Sequence, residues 1–339
     1  MRRCFQLAEQ GFGNVSPNPM VGAVLVYDNQ IIAEGWHQAY GAPHAEVNCL
    51  NSLREQDKDK VPHSSLYVSL EPCSHQGKTP PCSNLIIEHN IKQVIIANTD
   101  PNPLVAGSGI KQLQQAGIEV ITGILETEGH FLNRRFFTYH KQNRPYIILK
   151  WAQSADGYFT KHNDQQHWIT GDEAKKLVHQ WRHEEDAILV GTNTARVDNP
   201  ELTNRFFEHK GNPTRVLIDK NLTLPNELKL FNEAAPTLVI NASKDDIKEN
   251  IEWLKIEFDE NWLKHLLNKL ATKHIQSLIV EGGAKVLQQF IDTGVWDEAR
   301  VFTGSVNFNG GLAAPELHSP HKSETTIGND TLKLYYNTL

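Results

Sequence analysis

The sequence predicts an α/β protein built from two domains. Its 339 residues exceed the usual size of one domain. Residues 1–125 alternate between short apolar runs typical of strands and amphipathic stretches typical of helices. A second alternation of the same kind starts after Pro145. Because this alternation is typical of a sheet covered by helices, we expect a three-layer α/β domain first and another α/β domain after it.

The predicted elements of the first half follow one another closely. MRRCFQLAEQGFGN predicts an amphipathic helix with Cys4, Leu7 and Ala8 on one face. MVGAVLVYDNQIIAEGW predicts a hairpin, because two apolar runs flank the turn Asp28-Asn29. The remaining elements are a helix over 44–53, a strand over 64–70, a helix from about Cys82, a strand over 94–98, a helix over 109–117 and a strand over 118–123.

A charged, mainly helical segment separates the two alternating patterns. We interpret this segment, 124–144, as the connection between a domain at 1–123 and a domain at 145–339. The clearest helix of the second domain is TGDEAKKLVHQWRHE, which opens with Thr170 and Glu173 in capping-box spacing. The apolar runs that predict its strands are YIILKWA, DAILVG, TRVLID, PTLVINA, SLIVEGG and EARVFTG.

Charge and hydropathy argue against several classes of protein. The formal net charge of −7 argues against a surface that neutralises many phosphates of a nucleic acid. No apolar run approaches the roughly 18 residues of a membrane span, and the N-terminus is too polar for a signal peptide. With four cysteines and no export signal, we expect a cytoplasmic protein. In that compartment closely spaced cysteines are more often metal ligands or catalysts than disulfides.

One group of residues has the composition of a catalytic zinc site. A catalytic zinc ion takes three protein ligands from His nitrogen and Cys thiolate and leaves a position for water. His44 in GAPHAEVNCL and the cysteines Cys73 and Cys82 in SLEPCSHQGKTPPCSN supply that set. Glu46 follows closely enough to accept a proton from the metal-bound water and return it to a leaving amine. His-x-Glu followed by Pro-Cys and another Cys is the signature of zinc deaminases.

Two simpler interpretations of these residues stay open. Cys4 and Cys49 are best interpreted as small buried hydrophobes. The same interpretation for the cysteines of the EPC and PPC sequences leaves the nearby PHAE sequence unexplained. A purely structural zinc ion would need a fourth protein ligand, for which His75 is the candidate. That arrangement gives Glu46 no role, so the catalytic site is the stronger hypothesis.

The residues of the second half are less informative by themselves. VEGGAKVLQQF places a strand, a Gly-Gly turn and a helix in succession, and such a turn lets a phosphate approach the N–H groups of a helix N-terminus. The G-x-G-x-x-G fingerprint is absent, so a Rossmann-type dinucleotide fold is not supported. A Gly-Gly turn alone is most often only a turn, and Arg182 alone is readily explained as a solvated helix charge.

The motifs of the first half resemble the deaminase domain of the bifunctional deaminase/reductase family of riboflavin biosynthesis. The resemblance rests on SPNPMVGAVLV, on DPNPLVAGSGI and on the eight residues between the cysteines, where cytidine and tRNA-adenosine deaminases usually have two. It implies a cytidine-deaminase-like fold and a diaminopyrimidinone substrate that carries a phosphoribosylamino group. The implied substrate contacts, several of which are also ordinary turn or loop residues by type, are Asn18, His75, Lys78, Asp100 and Asn102.

The second half resembles the reductase domain of the same family through RPYIILKWAQSADG, WITG, GTNTARVDNPELTNR and VEGGAKVL, in that order. The resemblance implies a dihydrofolate-reductase-like fold and NADPH as cofactor, with Lys150 as a catalytic residue beside the ribose. The implied substrate positions are Arg182, Leu202, Arg205 and Glu281, and the two arginines suit a phosphate as a fork of donors. The implied cofactor positions are Ala152, Phe159, Gln166, Trp168, Thr194, Asp198, Gly283, Ala284 and Lys285. The family usually has Ser where this chain has Gln166.

These motifs predict a bifunctional enzyme of riboflavin biosynthesis. The first domain is expected to deaminate 2,5-diamino-6-(5-phosphoribosylamino)pyrimidin-4-one with zinc. The second is expected to reduce the ribosyl group of the product to ribityl with NADPH. The alternatives are a tRNA or nucleoside deaminase fused to a reductase-like domain, and a binding module stabilised by zinc. The expected partner is the small-molecule substrate, with no nucleic acid and no membrane, and the sequence leaves a homo-oligomer open.

Overall fold

The computed structural model describes residues 1–75, 80–103, 105–161, 167–207 and 211–337. Its contacts divide the chain into two compact units, Met1–Asn143 and Arg144–Leu339. The segment 124–144, which the sequence suggested as a connection, forms two helices that belong to the first unit up to Asn143. No helix among the described residues has the length and apolarity needed to cross a membrane.

The first unit is organised around one five-stranded sheet. Its strands are β1 (Gly22–Tyr27), β2 (Gln30–Trp36), β3 (Ser65–Leu70), β4 (Gln93–Asn98) and β5 (Glu119–Thr122). They are arranged in the order β2-β1-β3-β4-β5, with β3, β4 and β5 parallel and β1 antiparallel to both of its neighbours. Asp28 and Asn29 both adopt positive φ, which gives the predicted hairpin turn the twist that its strands require.

Helices cover both faces of this sheet. The helices of the first unit are α1 (Arg2–Glu9), α2 (Ala45–Asn51), α3 (Cys82–Glu88), α4 (Ser108–Gln115), α5 (Glu126–Leu132) and α6 (Arg134–Gln142), with a 3-10 segment at Glu55–His63. Apolar residues of α2, α3 and α4 pack with one face of the strands. Residues of α1, α5 and α6 supply the other apolar clusters. The predicted three-layer arrangement is therefore confirmed.

The second unit contains a ten-stranded sheet and a two-stranded one. Its strands are β6 (Tyr146–Gln153), β7 (Tyr158–Thr160), β8 (Ala187–Gly191), β9 (Thr214–Ile218), β10 (Thr237–Asn241), β11 (Asp246–Lys248), β12 (Ile251–Lys255), β13 (Ser277–Gly282), β14 (Glu298–Thr303), β15 (Leu312–Ala313), β16 (Ser323–Ile327) and β17 (Asp330–Tyr336). The large sheet has the order β11-β12-β10-β9-β8-β13-β6-β14-β17-β16, and β15 pairs with β7. The seven strands from β12 to β14 run parallel. All six predicted strands of this domain are present.

In the described part of the second unit, four helices cover the large sheet: α7 (Asp172–Glu184), α8 (Thr192–Asp198), α9 (Trp262–Thr272) and α10 (Ala284–Asp292), and a 3-10 turn lies at Lys229–Phe231. Helices α9 and α10 pack on one face, while α7 and α8 pack on the other. Strands β6 and β13 are neighbours, and most side chains of both are buried. The carboxyl ends of such parallel strands form an edge at which ligands commonly bind.

The start of α7 differs from the prediction. The residue before the helix is Gly171, which has no side chain, and its N–H donates a hydrogen bond of 2.8 Å to Oδ2 of Asp330 in β17. The predicted capping box of Thr170 and Glu173 is therefore wrong. A carboxylate from a strand far away in sequence takes the place of the local cap.

Candidate active sites

The predicted metal ligands of the first unit lie together at the starts of two helices. His44 immediately precedes α2, Cys82 is the first residue of α3, and Cys73 lies in the loop after β3. The Nδ1 atom of His44 is 3.5 Å from Sγ of Cys73 and 3.4 Å from Sγ of Cys82. A tetrahedral zinc ion, about 2.3 Å from sulfur and about 2.0 Å from nitrogen, would hold such atoms about 3.5 Å apart. The three donor atoms therefore fit a zinc ion.

The surroundings of the two thiols favour negative charge on one of them. The backbone N–H of Cys82 donates to Sγ of Cys73 over 3.3 Å at the start of α3. The hydrogen bond from the Cys82 thiol lowers the pKa of Cys73 despite burial, and His44 lowers it further. The same hydrogen bond, together with burial and the nearby Glu46, raises the pKa of Cys82. The pair thus presents a thiolate and a thiol to a metal ion, and binding would release the remaining proton.

Glu46 is a buried carboxyl beside the donor atoms. It lies in the first turn of α2 and is 3 % exposed. Burial raises the pKa of Glu46 to about 7, and the negative charge of Cys73 acts in the same direction. A group whose pKa lies near neutral pH can both accept and release a proton during a reaction. The structure therefore supports a proton-carrying role for Glu46 rather than a ligand role.

The four-ligand structural site finds no support among the described residues. The donor atoms that lie within 4.8 Å of one another here belong to His44, Cys73 and Cys82, and the exposed His75 is outside this group. Cys4 and Cys49 are completely buried, and burial raises the pKa of both thiols. As predicted, these two cysteines behave as small core residues.

Asn18 is held beside the metal ligands through a histidine that the sequence did not single out. The Nδ2 group of Asn18 lies 3.1 Å from Nε2 of His37, and Nδ1 of His37 lies 3.0 Å from the carbonyl oxygen of Pro43. Because a carbonyl only accepts, Nδ1 of His37 carries the proton and Nε2 accepts from Asn18. Burial lowers the pKa of His37 and keeps the ring neutral. The ring packs edge-on against His44, with 5.4 Å between the ring centroids.

Asp100 and Asn102 lie in the loop that links β4 to α4. Asp100 is 9 % exposed, and its Oδ1 accepts a hydrogen bond of 2.7 Å from the backbone N–H of Asn102. Burial raises the pKa of Asp100 to about 6, the Asn102 N–H opposes this change, and the charge of His75 opposes it further. The electrostatic interaction places His75 and Asp100 in one neighbourhood. Lys78 lies outside the described residues.

Glu71 organises this loop, although the sequence suggested no role for it. Its carboxylate is buried and accepts hydrogen bonds from four backbone N–H groups. The N–H of Asp100 donates over 3.2 Å and that of Gly107 over 2.9 Å. Two more come from the first turn of α4, from Gly109 at 2.9 Å and Ile110 at 3.2 Å. Glu71 therefore ties the loop of Asp100 to the segment that carries the metal ligand two residues later.

A charged group in the second unit joins three of the predicted residues. Glu281, near the end of β13, accepts a hydrogen bond of 3.0 Å from Nη2 of Arg182 in α7. Its other oxygen lies 3.9 Å from Nζ of Lys150. Burial disfavours the charge of Glu281, but Arg182 and Lys150 hold its pKa below the ordinary value. Burial lowers the pKa of Lys150. Lys150 lies within β6, which continues to Gln153.

Leu202 and Arg205 lie in the loop after α8. Leu202 is buried and has a φ of +55°, so it anchors the loop to the core. The backbone N–H of Arg205 donates to Nδ1 of His179 in α7 over 3.2 Å, and its Nη1 pairs with Glu201 over 3.3 Å. Arg182 reaches the same loop, since its Nη1 lies 3.4 Å from the carbonyl oxygen of Thr203. The two predicted arginines are thus linked through one short segment.

Several predicted cofactor residues form a cradle at the carboxyl ends of β8 and β13. Gly282 has a φ of +137°, and a Cβ there would lie 3.4 Å from Cζ of Phe159. A Cβ on Gly283 would lie 3.0 Å from Oγ1 of Thr194. Gly283 immediately precedes α10, and Ala284 and Lys285 are its first residues, so the helix N-terminus faces this edge. The space that the missing side chains leave suits close approach of a phosphate to the backbone.

The remaining described cofactor residues lie near the end of β6, in α8 and before the start of α7. Ala152 lies near the end of β6, and Asp198 is one helical turn after Thr194 in α8, where burial raises its pKa. Trp168 is 64 % exposed, and Nζ of Lys175 lies 4.4 Å from its ring centroid. Gln166 lies outside the described residues. Among the described residues, the structure thus places Phe159 and Thr194 beside the turn of Gly282 and Gly283.

Comparison with known families gives a separate match for each unit. The RibD C-terminal domain matches residues 145–334. The cytidine and deoxycytidylate deaminase zinc-binding region matches residues 1–98. These matches confirm the predicted fold classes, a cytidine-deaminase-like domain followed by a reductase domain of the dihydrofolate-reductase type.

Relatives and solved structures cover both units together. The riboflavin biosynthesis protein RibD of Aquifex aeolicus is 42 % identical, over 94 % of this chain and 89 % of its own. That of Bacillus amyloliquefaciens is 40 % identical, over 94 % and 87 %. A diaminohydroxyphosphoribosylaminopyrimidine deaminase/5-amino-6-(5-phosphoribosylamino)uracil reductase from Thermotoga maritima has a TM-score of 0.89 and 36 % identity, covering 100 % of this chain and 97 % of its own. Acinetobacter baumannii RibD has a TM-score of 0.90 and 31 % identity, with coverages of 100 % and 98 %.

Proposed function

The chain belongs to the RibD family of riboflavin biosynthesis proteins and is a bifunctional deaminase and reductase, and we propose that it acts on 2,5-diamino-6-(5-phosphoribosylamino)pyrimidin-4-one. The first step would replace an amino group of the ring by oxygen and release ammonia. The second would reduce the ribosyl group of the product to ribityl. The single observation that carries this proposal is the set of His44, Cys73 and Cys82 beside Glu46, in a chain that matches RibD relatives along nearly all of its length.

We assign the binding of zinc to His44, Cys73 and Cys82. The separations of 3.4 and 3.5 Å between Nδ1 of His44 and the two sulfur atoms support this assignment. A zinc ion held there would supply the Lewis acidity that makes water nucleophilic at neutral pH. With three protein ligands the coordination leaves one position for that water.

Glu46 carries the protons of the deamination. Water adds to the ring carbon that bears the amine, and the proton it loses goes to the Glu46 carboxylate. Glu46 then gives a proton to the amine, the carbon–nitrogen bond breaks, and ammonia leaves. The pKa of about 7 that burial produces makes one group suitable for both transfers. We assign the contacts with the substrate to Asn18, His75, Lys78, Asp100 and Asn102.

The reduction is assigned to the charged group of the second unit. NADPH would deliver a hydride to the sugar carbon that is bonded to the amine, while the former ring oxygen takes a proton. Lys150 lies beside Glu281 and supplies positive charge, and a proton, next to the opening sugar. Glu281 holds the sugar hydroxyls, Arg182 and Arg205 bind its phosphate, and Leu202 is assigned as a further substrate contact. Charge-assisted hydrogen bonds from the two arginines suit a phosphate dianion.

The proposed NADPH site is the cradle of Phe159, Thr194 and Gly283. The absence of a Cβ at Gly282 and Gly283 leaves room for the cofactor, and the N-terminus of α10 favours its phosphates. We extend this site to Ala284 and Lys285 in the first turn of α10, and to Ala152, Gln166, Trp168 and Asp198. The functional boundaries proposed for the two domains are 1–123 and 145–339, with 124–144 between them, and we place the enzyme in the cytoplasm.

The proposal is tested with the purified chain, the diaminopyrimidinone, zinc and NADPH. Mass spectrometry should first detect replacement of the amino group by oxygen, with one ammonia released per molecule. It should then detect a gain of two hydrogens that requires NADPH. Release of ammonia without any reduction would contradict the proposed second step, and deamination of nucleosides or tRNA in its place would contradict the proposed substrate.

A further inference from the structure

His179 makes two close contacts with Arg205 that cannot both be hydrogen bonds. Nδ1 of His179 lies 3.2 Å from the backbone N–H of Arg205, and Nε2 of the same ring lies 3.2 Å from Nη2 of the Arg205 side chain. Both neighbours are hydrogen-bond donors, whereas a neutral imidazole has one donor and one acceptor nitrogen. Only one of the two contacts can therefore be a hydrogen bond.

The backbone contact determines which nitrogen carries the proton. Nδ1 accepts from the Arg205 N–H, so Nε2 must carry the hydrogen and point it at the guanidinium group. Protonation of the ring would not relieve the conflict, because it would also place a hydrogen on Nδ1. Burial, Arg182 and Arg205 lower the pKa of His179 to about 4, so the ring is neutral at physiological pH. Two N–H groups are therefore directed at one another at this place.

The surrounding groups supply more donors than acceptors. Nη1 of Arg205 is paired with Glu201, but among the described residues Nη2 has only the His179 ring as a hydrogen-bond neighbour. Nε of Arg182, which like His179 belongs to α7, is buried and has no hydrogen-bond partner among the described residues. His179 is 1 % exposed, whereas the side chain of Arg205 is 51 % exposed. An acceptor placed between the ring and a shifted guanidinium would satisfy both groups.

We propose that His179 is a phosphate-binding residue of the reductase site, with its Nε2–H and Nη2 of Arg205 donating to the phosphate monoester of the sugar. This proposal rests on the proposed function and adds a donor to the two arginines assigned there. A phosphate dianion offers several acceptor oxygens, so it can accept from both N–H groups at once. The bond from Nδ1 to the Arg205 backbone fixes the ring so that Nε2–H is directed at the phosphate before the substrate arrives.

Two substitutions separate this role from simple anchoring of the loop. In His179→Asn the side-chain oxygen can still accept from the Arg205 N–H, but no donor reaches the position of Nε2. His179→Ala removes both functions. Gln180→Ala is the matched control on the same helix, because Gln180 is exposed and bonds only with Glu184. Thermal unfolding and ammonia release by the first unit report on whether each variant is folded.

The measurement compares the deaminated pyrimidine with and without its 5-phosphate. Dissociation constants are measured by calorimetry without NADPH, and KM and kcat by NADPH oxidation. We expect His179→Asn to weaken binding of the phosphorylated compound roughly tenfold to a hundredfold, as for a lost hydrogen bond to a charged group, with kcat and binding of the dephosphorylated compound nearly unchanged. Binding of NADPH relative to NADH should not change.

Three outcomes would overturn the proposal. His179→Asn with the wild-type preference for phosphate would remove His179 from the phosphate contacts. Equal weakening for both compounds would reduce His179 to an anchor of the loop. A changed discrimination between NADPH and NADH would move the contact to the cofactor. A wild-type chain that binds neither compound would overturn the proposed function as well, whereas the three outcomes above leave that function intact.

Discussion

The two candidate sites differ in how their residues are distributed along the chain. The proposed metal ligands and Glu46 all fall within residues 44–82, at the starts of α2 and α3 and in the loop after β3. The charged group of the second unit takes Lys150 from β6, Arg182 from α7 and Glu281 from β13. These residues meet because β6 and β13 are neighbours in a parallel sheet.

This difference determines how each site can be recognised and disturbed. A metal site demands particular donor atoms, so its residue types and short spacing reveal it directly. A site for a sugar phosphate is built from charged residues such as Arg, Lys and Glu. Each of these is also common on protein surfaces, so its presence in the sequence does not reveal a site. A change of a single atom in the first site should therefore cause a large loss of its activity. A single change in the second site should cause a smaller loss.

The largest loss of activity is expected for Glu46→Gln. The variant keeps the shape of the side chain but cannot carry a proton, so deamination should fall by about 10²–10⁴-fold. Zinc should stay bound, because the donor atoms belong to His44, Cys73 and Cys82. Ammonia release and elemental analysis measure the two effects, and Glu128→Gln on the exposed side of α5 is the control. Deamination at the wild-type rate would exclude Glu46 as the proton carrier.

Lys150→Ala should damage the second site and leave the first one intact. Loss of the positive charge beside Glu281 should slow hydride transfer by on the order of 10²-fold, at the lower end of acid–base effects. Single-turnover oxidation of NADPH with the deaminated substrate gives the rate, and ammonia release should be unchanged. Lys264→Ala, on the exposed face of α9, is the matched control. If deamination fell in parallel with reduction, the two sites would not be separable as the comparison requires.

Glu71→Gln tests the non-local part of the first site. An amide group in place of one carboxylate oxygen would turn a donor towards N–H groups that now donate to Glu71. We expect a rise of about tenfold in KM for deamination, since the loop of Asp100 loses its anchor, with zinc retained. Glu71→Asp should restore part of the loss, and Glu88→Gln on the exposed face of α3 should have no effect. Cys82→Ser, which removes a proposed ligand, should lose zinc, and an equal loss of zinc in Glu71→Gln would show that Glu71 supports the ligands themselves.

The smallest expected effect is a dependence of stability on pH in the second unit. The folded-state pKa of His179, about 4, lies below the unfolded value of about 6.5. Between these values the unfolded chain binds a proton that the folded chain does not, so stability falls as pH decreases through this window and is constant above it. From pH 7.5 to pH 5 the wild type should lose more unfolding free energy than His179→Asn, by on the order of 1 kcal/mol. Chemical denaturation at both values measures the difference, and equal losses would mean that the ring is not kept neutral by the fold.

The sequence predictions were accurate where interacting residues are close along the chain, and they failed where the residues are far apart in sequence. The predicted strands are present and the predicted zinc ligands lie together, because periodicity and donor chemistry act over a few residues. The capping box at Thr170 failed because the bond is made by Asp330, far away in sequence. Glu71 and His37 were missed for a similar reason, since their partners lie in other segments and form no recognisable sequence pattern with them. The Glu-Pro-Cys sequence was a usable signal for Glu71, because a carboxyl that precedes a metal ligand is poorly placed to face solvent.

By itself, the sequence determined the two α/β patterns and the atoms that can hold zinc. Both depend on side-chain types at fixed short spacings. Only the tertiary structure decided that the pKa of Glu46 lies near 7, that Lys150 faces Glu281, and that His179 meets Arg205 through both of its nitrogens. These properties arise from burial and from contacts between strands and helices that are distant in sequence. Desolvation and the direction of a hydrogen bond depend on what surrounds a group in space, and the order of residues along the chain does not specify those surroundings.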